Sequence, residues 1–168
     1  MPRNPDREEA QVREVYARYG LAVYLAQCVE RQLALLLATR YGPDIEGMTP
    51  QQYNQLLESL FQQTFGALMV TLRETVTLPV EAESRLRRVL ERRNWLIHNY
   101  FWERAGHLLT PAGRAKMIAE LEGLADEFEA EHQRLLTISR NWAKEHGVTE
   151  ERLQAELERL IQRAEGQG

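Results

Sequence analysis

The chain has 168 residues, 43% of them hydrophobic and 27% charged, enough for one soluble domain with a real core. Its net charge of −4 argues against a protein that coats nucleic acid over its whole surface. A single cysteine, Cys28, excludes an internal disulfide and fits a reducing cytoplasm, and four widely spaced histidines give no zinc spacing. No apolar run reads as a membrane span, and residues 1–9 lack the apolar core of a signal peptide. The expectation is a cytoplasmic protein with no membrane partner.

In chain order, the first helix is expected from Asp6, an N-cap, to about residue 40. Its stripe is Val12, Val15, Tyr16, Tyr19, Val23, Ala26, Val29, Leu33, Leu36 and Leu37, spaced by threes and fours as one buried face requires. Cys28 falls among apolar residues and reads as a small core residue, not a nucleophile. Gly42 and Pro43 stop the helix. Thr49-Pro50-Gln51-Gln52 then carries an N-cap, a first-position Pro and the Gln that closes a capping box. The helix that follows has a weak point between Phe61 and Gly66, where it can split in two.

Residues 75–79 read as a turn, because Pro79 restrains Leu78 from helix. The third main helix is expected over about 80–104, closed by Gly106. Thr110-Pro111 repeats the earlier start signal and opens a helix to about residue 146. Gly147 reads as its C-cap. Thr149 caps a last helix bearing Leu153, Leu157, Leu160 and Ile161. No strand pattern or repeat appears. The fold class is all-α: an antiparallel up-and-down bundle of four to five main helices. A single domain is expected over 1–168, with the bundle over about 6–146 and an extra helix over 149–165.

The third main helix carries the chemistry. Arg85, Arg87, Arg88, Arg92 and Arg93 cluster there, with only Glu91 among them. Such a row is either a site for phosphates or a solvated face balanced by Glu81, Glu83 and Glu103. Arg93 stands on the stripe of Leu86, Val89, Leu90, Ile97 and Tyr100, where another apolar residue is expected. A charge there needs a reason. One reason is an ion pair with a carboxylate of another helix, such as Glu30 or Glu120. Asn94 and His98, four apart, share one helical face.

Arg93, Asn94 and His98 form a pattern, Arg then a polar residue then three residues then His, that resembles the motif of HEPN domains. Tyr100, two beyond the His, resembles the longer form found in HEPN toxins paired with nucleotidyltransferase antitoxins. The resemblance implies a HEPN-like helical bundle, a homodimer with the motif at its interface, and metal-independent RNA cleavage. It also implies an antitoxin partner of nucleotidyltransferase type that modifies the Tyr, which Tyr100 would match. No metal or cofactor is expected.

The residue types suit that chemistry. A 2′-hydroxyl can attack the adjacent phosphate if a base takes its proton, and an imidazole, with an ordinary pKa of about 6.5, titrates in the right range. His98 is therefore expected as acid and base. Arg93 can grip two phosphate oxygens with its planar fork. Asn94 can orient the phosphate or the imidazole. Arg87, Arg88 and Arg92 are candidate contacts for RNA phosphates. One His cannot serve both sides of phosphorus, whereas two protomers would supply two. The alternative is a non-catalytic helical module that binds nucleotides or a protein.

Overall fold

The computed structural model describes residues 5–41, 47–75 and 77–145, together with single positions 154, 158, 162 and 166. Among these residues every regular element is a helix, as expected for an all-α chain. They are α1 Pro5–Tyr41, α2 Pro50–Phe61, α3 Phe65–Thr75, α4 Val80–His98, α5 Tyr100–Glu103, α6 Ala105–Leu108 and α7 Pro111–Glu145. The chain divides into two compact units, Met1–Leu135 and Leu136–Gly168. In the second unit Ile138 is exposed, Trp142 is half-buried, and Gln154, Glu158 and Gln162 are helical. The expected caps at Gly42, Pro43, Gly147 and Thr149, and the stripe Leu153, Leu157, Leu160 and Ile161, lie outside the described residues.

Local chemistry sets the helix starts in the first unit. The Thr49 hydroxyl accepts from the Gln52 amide at 3.2 Å, and the Thr49 amide donates to Gln52 Oε1 at 2.9 Å. This reciprocal pair satisfies two donors that would otherwise be orphaned at the start of α2. The weak point after Phe61 is a break: Thr64 Oγ1 accepts from the Ala67 amide at 3.2 Å and starts α3 afresh. Thr110 Oγ1 accepts from the Gly113 amide at 3.1 Å at the start of α7.

Side-chain pairs fix the helix directions. Tyr16 and Tyr19 of α1 meet Phe101, while Glu30 meets Arg93, so α1 and α4 run antiparallel. Arg85 meets Glu131 while Arg92 meets Glu127, so α4 and α7 are antiparallel too. Gln11 with Arg114 and Arg18 with Glu122 make α1 and α7 parallel. The core between them holds Val15, Leu33 and Leu37 of α1, Leu86 and Leu96 of α4, and Met117, Leu121 and Phe128 of α7. Phe65 and Leu68 of α3 close it. Each such side chain contributes about 1.5–3 kcal/mol by leaving water.

Three expectations are corrected. Between Asp6 and Ala38, α1 is by length and composition long and apolar enough to cross a membrane, although no run had read so. Half of that window is buried inside the protein, which is where a core helix needs its apolar residues. Cys28 is only partly buried, at the flank of α1, not in the core. The helix bearing the motif stops at His98 instead of running to about residue 104. Asn99 departs from helical angles (φ −126°, ψ −20°), although its amide still bonds the Trp95 carbonyl at 2.9 Å. The departure turns Tyr100 into the core.

The next connection is tight. Gly106 lies inside α6 and does not terminate a helix. A Cβ at Gly113 would collide with the backbone of His107, so the first turn of α7 presses on α6 as only glycine permits. Arg114, 3% exposed, ties this corner to α1. Its guanidinium donates to the Leu108 carbonyl at 2.9 Å and to Gln11 Oε1 at 3.2 Å.

Candidate functional site

The last two turns of α4 present the candidate residues in two directions. Asn94 and His98 are exposed, and His98 occupies the final position of the helix. Among the described residues no hydrogen bond or ion pair engages the His98 side chain, so its imidazole is free to meet a ligand. Arg93 reaches toward Glu30 of α1 while keeping a hydrogen bond to Asn94. Five residues separate Arg93 from His98, which puts their side chains about 140° apart around the helix and about 7.5 Å apart along it.

Arg93 is held at both ends of its fork. Nη2 donates to Glu30 Oε2 at 3.3 Å, and Nη1 donates to Asn94 Oδ1 at 3.0 Å. Both members of the ion pair are largely buried, their side chains 23% and 18% exposed. Nε is buried and has no hydrogen-bond partner. The Glu30 partner is one of the two carboxylates open to Arg93 from sequence. The other, Glu120, binds Arg104 instead, with contacts of 2.7 and 2.9 Å to two nitrogens.

That second pair anchors the far side of the motif. The Arg104 guanidinium lies over the Trp95 ring at 5.2 Å, and the Trp95 indole N–H donates to Glu103 at 3.0 Å. Hydrogen bonding to Glu120 holds the Arg104 guanidinium protonated above its already high range, against the cost of burial. Tyr100 sits beside this clamp. It is 1% exposed, its hydroxyl donates to the Met117 carbonyl at 3.2 Å, and its ring meets Trp95 and Phe101 edge-on at 5.3 and 5.4 Å. Burial pushes its phenol far up, the charge of Glu120 adds to this, and Arg104 opposes it. A Tyr placed so is a core residue. Within one chain the hydroxyl on which nucleotidyl transfer is expected faces a backbone carbonyl and not solvent.

The arginine row is balanced mainly from α7. Arg85 and Arg134 both reach the buried carboxylate of Glu131, at 3.2 and 3.0 Å. Arg88 and Arg92 both reach Glu127, at 3.5 and 3.0 Å. Only Arg87 finds its expected partner on α4, Glu83, at 3.3 Å. Four guanidiniums thus share two carboxylates, which leaves a positive ridge between α4 and α7 on an acidic protein. The sequence signal for this was the spacing of Arg85, Arg88 and Arg92 on one helical face, facing Glu127 and Glu131 four apart on another.

A groove of about 480 Å³ runs along the outer side of α1 and reaches Arg93, Glu30, Cys28, Tyr24, Phe61 and His132. His98 is not among its lining residues. Arg93 and His132 both line it. Within one chain the Arg93 fork and the His98 imidazole therefore do not share this groove. Among the described residues no group of acidic, His or Cys side chains could hold a metal ion. No protein-family model matches this sequence, and no curated protein or solved structure matches it.

Proposed function

We propose that the protein is a metal-independent endoribonuclease of HEPN type, built on a HEPN-like bundle, cytoplasmic, and acting as a toxin or defence nuclease restrained by a partner protein. The observation that carries this reading is the free imidazole of His98 at the end of α4, on one face with Asn94, which itself accepts from the fork of Arg93. The positive ridge of Arg88 and Arg92, with Arg87 beside it, supports it as a track for RNA phosphates.

In the proposed reaction His98 takes the proton of a 2′-hydroxyl. The 2′-oxygen bonds to phosphorus while the bond to the 5′-oxygen breaks, and the partner's His98 protonates the departing oxygen. Arg93 stabilises the charge that builds on the phosphate oxygens. The products are a 2′,3′-cyclic phosphate and a 5′-hydroxyl. The separation of Arg93 from His98 within one chain supports a site shared by two protomers. Trp102, 86% exposed just beyond the motif, and the half-exposed Tyr16 supply apolar surface for such a contact. The test is RNA cleavage in EDTA by a dimeric protein that leaves DNA intact, since DNA lacks the attacking hydroxyl. A dimer of this kind buries roughly 1,200–2,000 Å² in total. A monomer by sedimentation at tens of micromolar, or cutting that requires Mg²⁺, overturns the mechanism.

The second reading is a non-catalytic helical module that binds a nucleotide or a protein. The Arg93–Glu30 ion pair favours it, because that pair gives Arg93 a structural purpose of its own.

A further inference from the structure

The same ion pair has a second consequence. A guanidinium offers a phosphate two edges for paired hydrogen bonds, the end edge of Nη1 with Nη2 and the side edge that includes Nε. In Arg93 both terminal nitrogens already carry a protein partner. Asn94 occupies Nη1, Glu30 occupies Nη2, and Nε is shut away from solvent without a partner. A phosphate-ready arginine has the opposite arrangement, with its rear nitrogen held and its front free.

The contact is also built to open. Arg104 shows what a locked pair looks like in this chain: two nitrogens on one carboxylate at 2.7 and 2.9 Å, packed over an indole. Arg93 and Glu30 share one contact of 3.3 Å, longer than the roughly 2.7–2.9 Å of a strong charge-assisted bond. A phosphodiester arriving at Asn94 from the partner's side of the shared site can offer Arg93 two oxygens where Glu30 holds it with one.

We propose that Glu30 is an inhibitory latch, a carboxylate on α1 that occupies the fork of Arg93 until an RNA phosphate displaces it. This rests on the nuclease reading above. The latch makes cleavage depend on displacing a negative charge from the fork of Arg93. Cleavage should rise when the carboxylate is neutralised.

Glu30→Gln tests it in the full chain, with a labelled RNA oligonucleotide in EDTA and its fully 2′-O-methylated copy as a non-cleavable probe of binding. The glutamine keeps the shape and one acceptor oxygen, and removes the charge by exchanging the other oxygen for an amide nitrogen. We expect kcat/KM to rise, and methylated RNA to bind more tightly, each by about fivefold, the equivalent of the roughly 1 kcal/mol that a like charge about 4 Å from the phosphate costs under full solvent screening. The binding gain should vanish when Glu30→Gln is combined with Arg93→Ala. Glu30→Asp, one methylene short of the contact, should show a smaller gain and guards against a folding defect of the first variant. An active wild type with unaltered or slower cleavage by both variants overturns the latch alone, as does a binding gain that survives without Arg93. No cleavage by wild type or by either variant removes the nuclease reading, and the latch with it.

Discussion

The Tyr100 hydroxyl donates to the Met117 carbonyl at 3.2 Å, joining the turn after the motif to the body of α7. The bond is buried, and the motif helix ends two residues before it. Tyr100→Phe should cost about 1 kcal/mol of stability, the usual net worth of a buried hydrogen bond. The sign of its pH dependence follows from the raised phenol. The unfolded chain releases this proton near pH 10 and the folded chain holds it longer. The contribution is therefore complete below about pH 10 and is lost as pH rises above that value. Urea unfolding of both proteins should show the gap narrowing as the pH is raised from neutral toward 11.

Arg104 and Arg93 should separate on stability. Arg104→Ala strands Glu120 and removes the contact over Trp95. Removing one member of a buried pair costs about 3–5 kcal/mol, and because these side chains are about a quarter to a third exposed we expect about 2 kcal/mol. Arg93→Ala removes one contact of 3.3 Å to Glu30 and one of 3.0 Å to the exposed Asn94; an ion pair with one contact is weaker than one with two, so we expect about 1 kcal/mol. Denaturant midpoints of the two variants check the order. If Arg93→Ala is the more damaging, Arg93 is principally a structural residue and the second reading gains.

Gly113→Ala should cost about 2 kcal/mol or more, because the added methyl meets the His107 backbone, which has no rotamer with which to yield. Gly123→Ala is the matched control in the same helix. Nothing lies near its missing Cβ, so the substitution should stabilise by about 0.5–1 kcal/mol through helix propensity. Equal effects at the two positions would contradict the packing described for the α6–α7 corner.

What the sequence made legible was local. Thr49 and Thr110 mark helix starts because a cap is set by residues within three positions. The break before Thr64 was visible for the same reason. The end of α4 was not, because nothing near Asn99 stops a helix; the burial of Tyr100 against α7 does, and that is a tertiary event. Periodicity put Arg93 on a buried stripe but could not choose between Glu30 and Glu120, since it gives the face of a helix and not its register against neighbours. Partners for Arg88 and Arg92 were sought on their own helix and lie on α7 for the same reason. Of the candidate site, the exposure of His98 and Asn94 follows from their shared face and the burial of Tyr100 from its place on the apolar stripe, whereas the hydrogen bond of its hydroxyl to Met117 is a tertiary contact that spacing does not encode.

The most direct test of the nuclease reading is the rate of RNA cleavage by wild type and by His98→Ala, measured in EDTA, with thermal melting of both proteins recorded alongside. His98 is exposed and its side chain makes no bond among the described residues, so the variant should melt as the wild type does. Its cleavage should fall by roughly 10²–10⁴-fold, the usual contribution of a positioned acid or base. Cleavage that survives the substitution at the wild-type rate, or a wild type that leaves RNA intact, would contradict the account.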